Sequence, residues 1–371
     1  MKYISYGTSK HDLGLLKEAN HDEVIFGHRD FSRFGKLDDE KLAELLQEAQ
    51  KLNMRTVFEW DILMTENVFS ELKEKIVPWL DQFDVLRVQD PGALEWALKN
   101  TNKPLQFIAE NANRNLEALQ GWCDYIGERL DRLVLSIELS KTTLEELLSK
   151  LKVPCELLGL GRILLFYTPR NLLSALNNGD KISYNEEISA LGESEESPHK
   201  GFPIVENKHG TFMFHIKEFC LLEYRDELAK MGLSHMRIDL RWEGLHYLRD
   251  LDNLKEVYPQ DLMRGFFLVN KTDVLFPKLK NSRLQKREGN YLGEVIEVEK
   301  SKHLALLVKH PQGIRPGMKV KIVHPKGEEF EVTIHWLKDA SLKEVDFMSQ
   351  HRLALIPYVG GVWVKSHLFI Q

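Results

Sequence analysis

The sequence predicts an α/β protein: a (β/α)8 TIM-type barrel with an insertion after strand 7, followed by a small C-terminal all-β barrel domain. Short β-rich runs alternate with amphipathic helical segments, which is typical of a parallel sheet. Eight strand-like runs fall within roughly the first 240 residues, and a closed barrel usually has about 250. No GxGxxG motif opens the first helix, which disfavours the rival architecture, an open doubly wound sheet.

The predicted barrel elements follow from local patterns. The strands are Lys2–Tyr6, Glu23–Phe26, Thr56–Trp60, Val85–Val88, Leu105–Ala109, Arg132–Ile137, Cys155–Leu160 and His235–Leu240. The helices are Asp12–Ala19, Asp39–Leu52, Val68–Leu80, Ala93–Lys99, Leu116–Arg129, one that opens at Thr143, and Phe219–Lys230. In the second helix, apolar residues recur at i, i+3, i+4 and i+7 and form one stripe. Thr143 and Glu146 have the spacing of a capping box.

The first predicted domain spans residues 1–285 and contains an insertion at 174–216. Residues 177–201 are rich in Ser, Glu, Asn and Gly and are predicted to form a solvated loop. Phe202–Val205 and Thr211–His215 flank an Asn-Lys-His-Gly turn, which predicts a hairpin. An insertion after strand seven lies on the catalytic face of a barrel, so the loop is a candidate lid. A tolerated loop without a role is the alternative.

Residues 286–371 are predicted to form a small β-barrel domain. Its strand-like runs are Glu294–Val298, Leu304–Val308, Lys319–Val323, Glu329–Ile334 and Val362–Phe369. Its turns are basic, and small β-barrels with basic faces can hold RNA. Ordinary solvated surface is the other interpretation.

Composition excludes several classes of protein. The formal net charge of -6 would not draw the whole chain to nucleic acid or anionic lipid. The 3 cysteines are far apart and form no CxxC pair, which argues against a disulfide scaffold or a structural zinc site. Without a signal-peptide core or an apolar run of about 18 residues, we expect a cytoplasmic protein with no membrane partner.

Polar residues at the ends of the predicted strands are the candidate site, because barrel active sites lie there. Several carboxylates and several arginines meet at this face, and a mutual ion-pair network is the alternative to a functional site. Neither HExxH nor GxSxG is present.

Four segments, Asp84–Leu98, Arg132–Leu147, Cys155–Leu173 and His215–Arg241, resemble peptidase family U32, the collagenase-like peptidases. Relatives include barrel proteins for ubiquinone hydroxylation and for hydroxylation of tRNA or 23S rRNA bases. YLGEVIEVEK resembles the start of the C-terminal barrel of longer members. The resemblance implies the barrel fold and a mouth that binds an anion.

The sequence departs from the family where an iron–sulfur cluster would be held. Leu164 and Asn171 occupy the cysteine positions, so a cluster is not expected, since thiolates hold such clusters. No other cofactor is expected with certainty. Arg170, Glu138 and Glu156 match the family.

The resemblance and the strand ends together predict the site residues. Glu138, Glu156 and Asp239 are the candidate acid–base or orienting groups. The candidate ligand-binding and anion-binding residues are Arg162, Arg170, Arg241, Gln89 and Asn111.

We expect a role in the modification of RNA bases or small aromatic compounds, or as the cluster-less partner of a cluster-bearing homologue. RNA would bind through the C-terminal domain. One alternative is a metal-dependent peptidase or hydrolase that uses Glu59, Asp61 and His28, with Glu138. The other is a non-catalytic binding protein.

Overall fold

The computed structural model describes residues 1–110, 113–174, 187–193, 200–268, 289–325 and 328–371. The chain divides into two compact units, Met1–Asp273 and Val274–Gln371. The predicted domain boundary at 285/286 lies outside the described residues and stays a prediction. No helix in the described ranges is long and apolar enough to cross a membrane.

Seven parallel strands open the first unit. They are β1 (Lys2–Tyr6), β2 (Glu23–Gly27), β3 (Arg55–Trp60), β4 (Val85–Val88), β5 (Leu105–Ile108), β6 (Leu130–Val134) and β7 (Cys155–Gly161). The helices between them are α1 (Lys10–Glu18), α2 (Asp39–Lys51), α3 (Glu66–Lys75), α4 (Pro91–Asn100), α5 (Leu116–Ile126) and α6 (Lys141–Lys150). Each strand pairs with the next in sequence, as short right-handed βαβ connections require.

The start of α6 differs from the prediction. The helix begins at Lys141, and the hydroxyl of Ser140 accepts a hydrogen bond from the backbone amide of Thr143. Ser140 is therefore the N-cap, and the predicted capping box at Thr143 and Glu146 is wrong. The Ser140 hydroxyl satisfies the amide of Thr143, one turn before the amide of Glu146 that a cap at Thr143 would have satisfied.

The insertion after β7 is an antiparallel sheet. Its strands are β8 (Leu164–Thr168), β9 (Ile188–Glu193), β10 (Lys200–Asn207) and β11 (Gly210–Phe214), in the order β8-β11-β10-β9. The predicted hairpin is confirmed; β10 is longer than predicted, and β11 begins and ends one residue earlier. Gly210 has a φ of +120°, and a Cβ there would lie 2.0 Å from the Thr168 carbonyl oxygen, so only glycine fits. β8 was not predicted. The inserted sheet starts with it at Leu164, ten residues before residue 174, where the insertion was predicted to begin.

The barrel closes through the last parallel strand. After β12 (Glu218–Cys220) and α7 (Arg225–Lys230), β13 (His235–Ile238) pairs in parallel with both β7 and β1. The predicted helix Phe219–Lys230 is wrong in its first half, because β12 pairs antiparallel with β7. A short helix, α8 (Leu254–Val257), and β14 (Leu262–Met263), which pairs with β12, complete the unit.

The barrel interior has an apolar part and a charged part. Ile4, Ile25, Val57 and Val85 form a small buried cluster with Tyr6. Further inward-pointing residues, on β2, β3 and β4 as well as on the remaining barrel strands, are charged and form the ion-pair network described below. Outside the strands, the apolar stripe of α2 and its counterparts on the other helices form the main hydrophobic core.

The second unit is a six-stranded antiparallel sheet that curls into a half-barrel. Its strands are β15 (Tyr291–Glu299), β16 (His303–Val308), β17 (Lys319–Val323), β18 (Glu329–Thr333), β19 (Leu353–Pro357) and β20 (His367–Ile370), in the order β18-β17-β20-β15-β16-β19. Its core is separate and includes Leu292, Leu304, Ile322 and Leu368. The prediction missed β19 and began the last strand too early, at Val362.

Candidate functional site

A cavity of about 650 Å³ lies at the barrel mouth of the first unit. One part of its wall is charged and holds five arginines and five carboxylates: Arg33, Arg114, Arg162, Arg237, Arg241, Glu59, Asp61, Glu110, Glu138 and Asp239. The other part is apolar and includes Ile137, Leu164, Phe214, Phe219 and Phe266. The cavity therefore offers a surface for stacking and a surface for hydrogen bonding within one space.

Tyr6, the last residue of β1, is buried in this wall. Its hydroxyl donates to Glu59 Oε1 at 2.7 Å, and the hydroxyl of Ser32 donates to Glu59 Oε2 at 2.6 Å. Burial and the nearby Asp61 raise the pKa of Glu59, against the opposing charge of Arg241. Glu59 is therefore the mouth carboxyl best suited to hold or transfer a proton.

Two arginines of the mouth bind carboxylates through two hydrogen bonds each. Asp61 accepts from the backbone amide and from Nε of Arg33, both at 2.7 Å. Asp239 accepts from Arg241 Nε at 2.9 Å and from Nη2 at 2.7 Å. Burial raises the pKa of each aspartate, but its arginine partner lowers it further, so both carboxyls are ionised.

The other arginines in the cavity wall are also paired. Arg237 binds Glu110, Arg114 binds Glu138, and Arg162 contacts Glu218 and Glu243. Arg162 and Arg241, two of the three arginines that were predicted from sequence to bind an anion, thus already face carboxylates.

Aromatic rings from three elements form a further wall around the mouth. Phe34 follows β2, Phe214 ends β11, and Trp242 follows β13. The ring centroid of Phe34 is 5.5 Å from those of both Phe214 and Trp242. The guanidinium of Arg162 lies over Trp242, 4.5 Å from the ring centroid. These contacts fix the aromatic wall by packing and cation–π attraction.

The turn between β10 and β11 is anchored to the loop after β2. Asn207 Nδ2 donates to the carbonyl oxygen of Arg33 at 2.9 Å. His209 Nε2 donates to the carbonyl oxygen of Arg29 at 2.8 Å, and Lys208 pairs with Asp30. The described part of the insertion is therefore a fixed wall. The solvated loop predicted at 177–201 is wrong at Ile188–Glu193, which forms β9, and at its end, where β10 begins at Lys200. The rest of it lies almost entirely outside the described residues, and its role as a lid stays a prediction.

The turn that carries Asn171 is held by Glu206 of β10. The Glu206 carboxylate accepts hydrogen bonds from the backbone amides of Leu173 at 2.7 Å and Ser174 at 2.9 Å. It also accepts from the hydroxyl of Thr211 at 2.6 Å. Side chains of the insertion thus satisfy the backbone of the turn.

The predicted site residues fall into two groups. Those that line the cavity are Glu138, Asp239, Arg162, Arg241, Glu59 and Asp61. Those that lie away from its wall are Glu156, Arg170, Gln89 and His28. Asn111 is outside the described residues. The catalytic and binding roles of all of them stay predictions.

Glu156 is the centre of a buried network below the mouth. Its carboxylate binds Arg87 and Arg237 and lies 3.1 Å from Arg132 Nη1. Arg132 in turn donates to both oxygens of Glu23, at 2.7 and 3.0 Å. Burial raises the pKa of Glu156, but the three arginines lower it to about 2. This position suits a structural counter-ion more than a proton donor.

The residues proposed for a metal do not come together. Glu59 and Asp61 share the cavity, whereas His28 is buried beside Asp30 and Asp39. Among the described residues, no group of three or more His, Cys, Asp or Glu side chains is arranged to hold a metal ion.

The cysteines do not fit an iron–sulfur cluster. The full sequence contains 3, whereas an iron–sulfur cluster needs several converging thiolates. Cys123 lies on α5, Cys155 begins β7 and Cys220 ends β12, and all three are buried away from the mouth. Burial raises the pKa of Cys155 to about 12 and that of Cys123 to about 11, so these thiols are neutral.

Sequence reasoning missed several residues of the wall. Arg237 of β13 could have been found, because it lies two residues before Asp239 and therefore points to the same face. Tyr6 ends its strand and could have been found in the same way. Phe214 and Trp242 carried no such signal, because their place depends on how the inserted sheet packs.

The model of peptidase family U32 matches residues 9–265. The tRNA hydroxylation protein P1 of Bacillus subtilis (strain 168) is 21% identical over 392 aligned residues, with 94% of this chain and 89% of that protein covered. A solved U32 peptidase gives a TM-score of 0.41 at 9% identity, covering 64% of this chain and 92% of that one. The C-terminal domain of a Geobacillus thermoleovorans U32 peptidase gives 0.21 at 15% identity, covering 22% and 92%. Since these scores are low, the fold rests on the strand topology above. The family model covers most of the sequence, and the chain belongs to peptidase family U32.

Proposed function

We propose that this chain binds RNA and holds one of its bases in the barrel mouth for modification. The observation that carries the proposal is the two-sided cavity of about 650 Å³. A planar ring can stack on the apolar wall at Phe214 and Phe266 while its edge meets the charged wall. Enzymes that act on bases hold them in this way, by stacking and by hydrogen bonds to the ring edge. A small aromatic compound is the alternative substrate, because the same two walls would accept its ring.

Charge supports RNA as the larger ligand. The second unit has 16 Lys and Arg against 10 Asp and Glu, a formal charge of +6. With a total of -6, the first unit is left with -12. Basic residues attract the phosphate backbone, so the second unit would hold the RNA while the acidic first unit receives a base. The Bacillus subtilis relative is a tRNA hydroxylation protein, which supports tRNA as the RNA.

In this proposal, a cluster-bearing homologue carries out the electron-transfer step of the base modification. Leu164 and Asn171 supply no thiolate for a cluster, and Glu206 and Thr211 hold the backbone of the turn at Asn171. Affinity purification of the tagged chain from an extract of its own cells should recover a cysteine-bearing U32 protein. If the chain instead modifies RNA alone, the partner is unnecessary and this part of the proposal fails.

Crosslinking of the full chain to 4-thiouridine-substituted tRNA tests base binding at the mouth. We expect crosslinked peptides from the cavity wall. Phe266→Ala should lower their yield without unfolding the chain, because Phe266 lines the cavity yet is 48% exposed. Tyr125→Ala, which removes a comparably exposed ring from α5, is the matched control. Crosslinks confined to the second unit would contradict a base in the mouth.

Metal analysis separates this proposal from a metal-dependent peptidase. A stoichiometric divalent ion in the purified protein, together with peptide hydrolysis that a chelator abolishes, would favour the peptidase.

A further inference from the structure

The arginines of the mouth have their charges compensated within the protein. Four of the five arginine side chains are largely buried, with exposed fractions of 8% for Arg237, 11% for Arg33 and Arg241, and 21% for Arg162. The fifth, Arg114, is half exposed and binds Glu138. An incoming anion would have to break or share one of these pairs, and separating a buried pair is costly.

The carboxylates near the mouth outnumber these pairings. Among the residues that the structure describes, the lining holds as many carboxylates as arginines, and Arg162 brings Glu218 and Glu243 close to it as well. The network below adds no surplus cation: Glu23, Asp131 and Glu156 face Arg55, Arg87 and Arg132. A negative ligand would therefore meet a wall that is neutral or negative, in a place where burial strengthens repulsion.

The same carboxylates favour a ligand that donates hydrogen bonds. A carboxylate only accepts, and its two oxygens offer about four acceptor sites. Glu59, Glu110 and Glu138 can thus take N–H groups from a ring edge beyond the bonds they already accept. The apolar wall accommodates the ring face.

We infer that the mouth selects an uncharged planar ring with N–H donors and discriminates against anionic rings. This deepens the proposed function, on which it rests, by naming the charge class of the ligand. It also replaces the anion-binding mouth that the family resemblance implied: Arg162 and Arg241 orient carboxylates and stack on aromatic rings.

Uracil and orotate test the inference with the full chain. Orotate is uracil with an added carboxylate, so the pair differs mainly in charge. Calorimetry or ligand-observed NMR should show uracil binding at least about tenfold more tightly, which corresponds to about 1.4 kcal/mol. Equal or tighter binding of orotate would overturn the inference.

A charge-releasing variant sharpens the test. Glu138→Gln frees Arg114 at the half-exposed rim, where folding should survive, and should shift the ratio of orotate affinity to uracil affinity about threefold to fivefold towards orotate. Glu146→Gln removes the same charge from the exposed pair with Lys150 on α6 and should leave the ratio unchanged. A ratio that stays fixed in Glu138→Gln would also overturn the inference.

The result is separable from the proposed function. A preference for orotate, or binding of neither ring, overturns the inference alone when RNA still crosslinks to the cavity wall. Loss of those crosslinks is the outcome that removes the proposed function.

Discussion

The guanidinium of Arg241 lies over the ring of Tyr6, 3.4 Å from its centroid. Tyr6 ends β1 and Arg241 follows β13, so the stack lies at the seam where these two strands close the barrel. The same guanidinium binds both oxygens of Asp239. Closure of the barrel and construction of the mouth thus depend on one side chain.

Replacing Arg241 with methionine should cost about 3–5 kcal/mol of unfolding free energy, because it leaves Asp239 buried without its partner. Urea denaturation measures the loss. Arg249→Met is the control: Arg249 pairs with Glu18 on the surface, with both side chains more than 60% exposed, and its loss should cost less than about 1 kcal/mol. Equal losses of unfolding free energy in the two variants would show that the buried Arg241–Asp239 pair stabilises the fold no more than the surface pair does.

Glu156→Gln should destabilise the protein by about 3–5 kcal/mol at neutral pH, because three arginines lose their counter-ion. The pKa of Glu156 falls from an ordinary 4.5 to about 2 in the folded state. A lowered carboxyl pKa stabilises the fold above about pH 4.5, and this stabilisation is lost as the pH falls towards 2. The difference in unfolding free energy between wild type and variant should therefore shrink over that window. A variant as stable as wild type that no longer binds ligand would return Glu156 to the site.

Glu206→Ala should release the turn at residues 171–174. Two backbone amides and one hydroxyl lose their acceptor, which should cost about 2–3 kcal/mol. Faster amide hydrogen exchange at Leu173 and Ser174 is the specific readout. Glu145→Ala on the exposed face of α6 should change neither quantity, and unchanged exchange in Glu206→Ala would mean that the turn is held by other contacts.

Arg170→Ala should leave the fold intact. The Arg170 side chain is exposed, and the contacts that tie this residue down are made by its backbone, to Thr168 and Thr211. We expect a change in unfolding free energy below about 0.5 kcal/mol. If the side chain contacts RNA phosphate, the salt dependence of RNA binding should weaken by about one unit of slope. A loss of stability like that of a core truncation would instead make Arg170 structural.

Barrel strands were predictable because each is a short apolar run between amphipathic helices. His235–Ile238, for example, was recognised despite the long insertion before it. Leu164–Thr168 was not recognised as a separate strand, because it follows β7 with only two residues between them. Phe219 looked helical because its downstream pattern is helical, but pairing with Gly161 of β7 overrides that local preference.

The candidate site was predictable where it depends on strand direction. Asp239 and Glu59 lie at strand ends, and both reach the cavity. Glu156 is the second residue of β7, so it lies near the end of its strand that is opposite the mouth. It was predicted as a site residue because it matches the family. Arg170 was placed too close to the mouth because the course of β8 was unknown.

The anchored turn of the insertion has a consequence for how the chain matures. Asn207 meets Arg33 across 174 residues of sequence, and His209 meets Arg29 across 180. Contacts this far apart raise the contact order and form late, since the intervening chain must first be ordered. On the ribosome, β1 to β6 can pair as they emerge. The wall of the cavity cannot form completely before the β10–β11 hairpin has been translated. A nascent chain stopped before residue 207 would thus carry most of a barrel and no finished pocket.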